Sequence, residues 1–195
     1  MRISISPLTL NRIFVFLLAF ALPTIVAGQQ VVKKSYRIEP YANLRGADLS
    51  GEMLNGADLN STFLGDAILI DANFSEASFR NARMNRCNAE GANFADADLY
   101  QAILWGANLY RANLSGANLT RTGWAGASLE DANLSGANLT GANLGRAKLW
   151  GANLSNATLA GTKASGFFGC PNQLPVGYKC VSDLDFPDRY RLVRD

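Results

Sequence analysis

The chain has 195 residues, of which 18 are basic and 16 acidic, and it contains no histidine. That length suits one domain with a buried core, and the lack of histidine removes the commonest general base and metal ligand. A net charge of +2 supplies no long-range field to gather phosphate backbones, so nucleic acid is not an expected partner.

Residues 1–28 carry Arg2 and Arg12, no acid, and an apolar run from Ile13 to Ala27. This is the layout of a signal peptide. The run of 15 residues, interrupted by Pro23, is short of the ~20 needed to span a bilayer comfortably. Cleavage near residue 28 is therefore the expectation, with a retained anchor as the alternative. Cleavage leaves 16 bases against 16 acids, a neutral mature chain with no stable membrane insertion. Residues 29–41 include Val31, Val32, Tyr36 and Ile38, enough apolar surface for an N-terminal cap.

From Leu44 the sequence advances in steps of five without an insertion. Of the 24 positions from Leu44 to Leu159, 18 are Leu; Phe74, Phe79, Met84, Ala89, Phe94 and Trp124 fill the rest. Two residues before each lies a second series, from Ala42 to Ala157, in which 20 of 24 are Ala and the departures are Glu52, Thr62, Cys87 and Thr122. A helix would turn 140° in five residues and smear the Leu series around its axis. A flat strand fails on parity, because the next Ala comes three residues after each Leu. The chain must turn a corner every five residues, and corners of one hand close it into a solenoid with both series inside.

The units Ala47-Asp48-Leu49-Ser50-Gly51 and Ala112-Asn113-Leu114-Ser115-Gly116 resemble those of the pentapeptide-repeat proteins. The resemblance covers residues 42–161 and implies an all-β, right-handed, four-sided β-helix with four units per coil, hence about six coils. Leu44, Leu64, Leu104, Leu114, Trp124, Leu134 and Leu154 are then scaffold core.

Stacking by twenty sorts the outward residues onto walls. On the wall of Leu54 and Leu114, asparagines recur from Asn73 to Asn153 with Ser75, Ser115, Ser135 and Ser155 beside the core positions. This predicts a smooth polar wall with a side-chain ladder. The walls of Leu44 and Leu49 instead place Phe63, Ile68, Ile70, Ile103, Trp105, Tyr110 and Trp150 outside, with Arg83 one rung from Phe63 and Ile103. Aromatic and Arg anchors make that edge the candidate interaction surface; scattered surface apolars, or cover by the terminal segments, are the plain alternative. Cys87 and Ala89 read as offsetting volume changes around a buried thiol, and Gly123 as relief for the oversized Trp124.

Residues 162–195 form the expected C-terminal cap. Cys170 and Cys180 enclose a short loop in a chain expected to be exported, and are read as a disulfide. Asp185 and Pro187 suggest a short final helix presenting Tyr190, Leu192 and Val193.

No Ser-base pair, metal spacing or phosphate loop is visible, so no cofactor and no catalytic residue is expected. The leading reading is a non-enzymatic scaffold or protein-interaction module with an unknown protein partner. The resemblance to signal-bearing cyanobacterial members implies a periplasmic or thylakoid-lumen location. Two alternatives follow other solenoids: a DNA-mimicking topoisomerase binder, opposed by export and by neutral charge, and a polysaccharide-active enzyme.

Overall fold

The computed structural model describes residues 36–183 and 185–195. The expected signal peptide, residues 1–28, and residues 29–35 of the expected N-terminal cap lie outside the described residues.

The described chain is a right-handed, four-sided β-helix. Parallel bridges join residues twenty apart, from Asn43 and Phe63 to Asn153 and Gln173. Each rung is held by a pair such as Leu44 N–H to the Phe63 carbonyl at 2.8 Å and Phe63 N–H to the Ala42 carbonyl at 3.0 Å. Each corner closes on a turn such as Ala47 N–H to the Leu44 carbonyl at 3.0 Å. The residue ending each unit adopts the left-handed conformation, as at Gly116 (φ 68°) and also Gln101 (φ 58°). Only Gly takes this without steric cost, which is why Gly ends so many units. Where Asn or Asp precedes the core residue it helps to set the turn: Asn113 Oδ1 accepts the Ser115 N–H at 3.2 Å and Asp98 Oδ1 accepts the Tyr100 N–H at 3.0 Å. These are Asx turns, built by the side chain onto its own backbone.

The walls are named in chain order by their core series: first (Leu44 onward), second (Leu49), third (Leu54) and fourth (Leu59). Both apolar series point inward, and Leu44, Leu64, Leu104, Leu114, Trp124, Leu134 and Leu154 are all buried. Phe74 and Phe94 stack at 5.2 Å, with Phe79 edge-on to both at 5.2 and 5.6 Å. The small Ala89 falls in the coil that carries Phe94, so the volume missing from one wall is supplied by the next.

The ladder continues beyond Gly161, where the five-residue pattern stops. Lys163, Phe168 and Gln173 bridge the sixth coil on three walls. The slot sizes there are inverted: Ala164 and Gly169 follow Leu144 and Leu149, while Phe167 follows Ala147. Phe167 is fully buried and stacks on Tyr190 at 6.4 Å, so one aromatic plugs the end of the core. An antiparallel sheet of β1 (Ser165–Phe168), β2 (Tyr178–Ser182) and β3 (Arg189–Arg194), in the order β1-β3-β2, completes the cap. Cys170 and Cys180 form a disulfide linking the segment after β1 to β2. The helix expected after Asp185 is instead β3. Two open partners flank that segment, and the alternation of Tyr190 and Leu192 with Arg191 suits a strand lying against the core. Among the described residues no helix is long and apolar enough to cross a membrane.

Candidate interaction surface

The central column of the first wall reads Phe63, Arg83, Ile103, Gly123 in successive rungs, each bridged to the next. The Arg83 guanidinium lies 5.4 Å from the centre of the Phe63 ring, close enough for a cation–π contact. Trp105 stands beside this column, two residues after Ile103, and is 52% exposed. Its Nε1 lies 2.7 Å from the point where a Cβ on Gly123 would sit. Gly123 therefore makes room for Trp105 on the outside of the wall. The expectation that Gly123 relieves Trp124 is corrected: the missing side chain would point outward, away from the core. Asn85 shares the column of Trp105, and its Oδ1 is buried without a hydrogen-bond partner among the described residues.

The other candidate residues spread further. Ile68 lies mid-wall on the second side, 40% exposed. Ile70 and Tyr110, both partly buried, stand at the corner leading to the third wall, where the Arg111 guanidinium covers the Tyr110 ring at 4.7 Å. Trp150 shares that corner near the C-terminal end, half exposed, with its ring against Gly169 of the cap. The structure brings Phe63, Arg83, Ile103 and Trp105 together on one wall. The second wall separates Tyr110 and Trp150 from them.

Where the first wall meets the second, Arg86 holds Asp66 by two hydrogen bonds of 2.8 and 2.9 Å, and Arg45 lies 3.8 Å from the same carboxylate. The bonded Arg86 holds the Asp66 carboxyl below the usual carboxylate range. Asp66 therefore stays charged and neutralised in place.

The third wall is different in kind. Asn93, Asn113, Asn133 and Asn153 each donate through Nδ2 to the Asn one rung back, at 3.1, 3.0, 3.3 and 3.4 Å. The same Oδ1 atoms accept backbone N–H groups, as at Ser115 and Ser135. Most of this wall's polar capacity is thus spent within the wall. At the edge of the fourth wall, sequence reasoning missed a cluster in which Arg80 covers Tyr100 at 4.7 Å and pairs with Asp98 at 2.7 Å. The signal was present, since Arg80 and Tyr100 are twenty apart.

Cys87 is buried, and burial pushes its thiol up to about 12. It is protonated and shielded at neutral pH, unlike a nucleophilic thiolate. Among the described residues no group of three or more Cys, Asp or Glu is placed to hold a metal ion.

A family model described as Pentapeptide repeats matches in 8 copies, over residues 41–69, 67–106, 92–122, 107–146 and 137–167. Among solved structures, the chain is similar to HetL, a pentapeptide repeat protein involved in heterocyst differentiation regulation from the cyanobacterium Nostoc sp. strain PCC 7120. Identity is 30%, over 69% of this chain and 68% of that one, with a TM-score of 0.46. It is also similar to Rfr23 from the cyanobacterium Cyanothece 51142, at 36% identity over 47% of this chain and 63% of that one, TM-score 0.27. A pentapeptide repeat protein from the Arabidopsis thaliana thylakoid lumen matches at 30% identity over 58% of this chain and 65% of that one, TM-score 0.30. The chain spans just under two thirds of these last two proteins. No curated protein matches it. The unbroken five-residue phase, the bridges at intervals of twenty and the family match over most of its length agree: the chain belongs to the pentapeptide-repeat family.

Proposed function

We propose that this protein is a non-enzymatic interaction scaffold of an exported compartment, periplasm or thylakoid lumen, and that its first wall is the docking face. The observation that carries this reading is the contrast between opposite walls. Phe63, Arg83, Ile103 and Trp105 converge on the first wall, whereas the third commits its Asn side chains to one another. Large aromatic and Arg groups are the residue types that dominate binding energy in protein contacts. Tyr110 and Trp150 fall outside this face.

The disulfide supports an oxidising compartment. The protonated, buried Cys87, and outward acids such as Asp66 and Asp98 already paired with Arg, support a scaffold over an enzyme.

Trp105→Ala and Ser115→Ala test the docking face in quantitative pull-downs of one partner from the native compartment. Trp105→Ala is expected to weaken binding roughly tenfold or more, the scale of an interface anchor, while Ser115→Ala does nothing. Equal binding by wild type and Trp105→Ala removes the first wall as the docking face.

A further inference from the structure

The near-neutral chain hides a separation of charge between walls. Sorting the five-residue units by wall, from residue 42 to residue 166, the first wall carries Arg45, Arg83, Arg86, Arg146 and Lys163 against Asp66 alone, a net of +4. The second carries five acids against Arg111 and Lys148, a net of −3; the third carries Glu52, Glu76 and Asp96 with no base, also −3. The fourth balances two acids with two bases.

We propose that the first wall docks an extended, acidic segment of a partner protein, its carboxylates on Arg83, Arg146 and Lys163 and an apolar residue on Trp105. This rests on the reading of that wall as the docking face. Arg83, Arg146 and Lys163 form no ion pair among the described residues, so their charge is available to a partner. They fall on the third, sixth and seventh rungs, which span about 19 Å along the rod at β-ladder spacing, a reach that suits an extended segment. One-signed charge on a low-dielectric wall raises the local concentration of oppositely charged ligands and speeds their arrival.

Shape selects among anionic partners. Trp105 is seated over Gly123 and Arg83 covers Phe63, so the apolar groups are flush with the wall. A membrane-binding face instead buries its apolar side chains some ~5–10 Å into the lipid boundary. A nucleic-acid strand carries a charge on every nucleotide, whereas a protein segment can match three separated cations and place an apolar side chain between them.

The test is fluorescence anisotropy with the full chain and four defined probes: a labelled peptide alternating Glu with Leu, its Lys-and-Leu counterpart, a single-stranded oligothymidine, and phosphatidylglycerol vesicles. The Glu peptide is expected to bind and the Lys peptide not. Arg83→Glu and a rise from low to high salt should each weaken the Glu peptide about tenfold, while Lys148→Glu on the second wall changes little. No binding of the Glu peptide, equal binding of the Lys peptide, or tighter binding of oligothymidine or vesicles overturns the proposal. Failure of the docking face itself reads differently, as equal capture of the native partner by wild type and Trp105→Ala; if Trp105→Ala weakens that capture but Arg83→Glu and salt do not, the face stands and its acidic preference falls.

Discussion

The indole N–H of Trp124 donates a 2.7 Å hydrogen bond to the hydroxyl of Thr122, which itself donates to the Leu119 carbonyl at 2.6 Å. Both residues depart from the repeat, and the Thr accounts for how the Trp is accommodated. A Trp in a Leu slot buries an N–H that must be satisfied, and a Thr in the neighbouring Ala slot supplies the acceptor. Thr62 occupies an Ala slot without a Trp beside it and donates to the Leu59 carbonyl in the same way, at 2.7 Å, so the slot tolerates Thr independently.

This pair predicts non-additive stabilities. Thr122→Val keeps the shape and removes the acceptor, leaving a buried indole N–H unpaired; the expected loss is about 1–3 kcal/mol. In a Trp124→Leu background the same change should cost far less, since no donor remains. Equilibrium urea unfolding of the four proteins in the cycle measures the coupling, and additive losses would show that the bond contributes nothing.

Cys87 carries a pH prediction. Burial pushes its thiol from an ordinary 9.0 up to about 12, so the folded state binds a proton that the unfolded chain has released. The contribution is fully present below pH 9.0 and is lost progressively as pH rises towards about 12. Stability should therefore sag through the alkaline range, and Cys87→Ala should show less of that sag. Parallel pH profiles for the two proteins would contradict the assignment. Iodoacetamide at pH ~8 should label Cys87 only after denaturation.

Reducing the disulfide should loosen the cap and spare the coils. Cys170–Cys180 restrains a short loop beside β2, and its entropic contribution is about 2–3 kcal/mol. Each coil rests on its neighbours alone, so the effect should be local. Hydrogen exchange after reduction is expected to rise in β2 and β3 while rungs such as Asn93 to Asn113 keep their protection. Uniform loss of protection along the rod would mean that the cap controls the whole solenoid.

The walls were legible in the sequence once the resemblance implied four units per coil, because every stacked neighbour is then twenty residues away and the Asn73 to Asn153 ladder follows from counting. The cap was not, because its residues leave the five-residue phase. Phe167 fills an Ala slot and β3 pairs with strands on either side, relations that depend on where the chain returns in space. The pairing of Trp124 with Thr122 lay between these cases. Both departures were visible, but joining them requires knowing that the indole points back along its own coil. Residues following a core position stand at corners, so Trp105 stands where the first wall meets the second, and Tyr110 and Trp150 stand one corner further on, where the second meets the third.

The seat of Trp105 gives the last prediction. A Cβ on Gly123 would lie 2.7 Å from the Trp105 Nε1, and that glycine does not use the left-handed conformation. Gly123→Ala is thus acceptable to the backbone and unacceptable only to the indole. The ring should lift from the wall, shifting its fluorescence to the red and raising its access to iodide. The fold should lose little, because Ala also restricts the unfolded chain, an effect of about 0.4–1 kcal/mol. Gly126→Ala is the control with the opposite cause. Its position is open but left-handed, with φ 71° and nothing within 4 Å, so it should lower stability and leave the Trp105 emission unchanged. If Gly123→Ala leaves both emission and iodide quenching at wild-type values, Trp105 does not lie over Gly123 in solution, and the flush wall on which acidic-segment docking depends is lost with it.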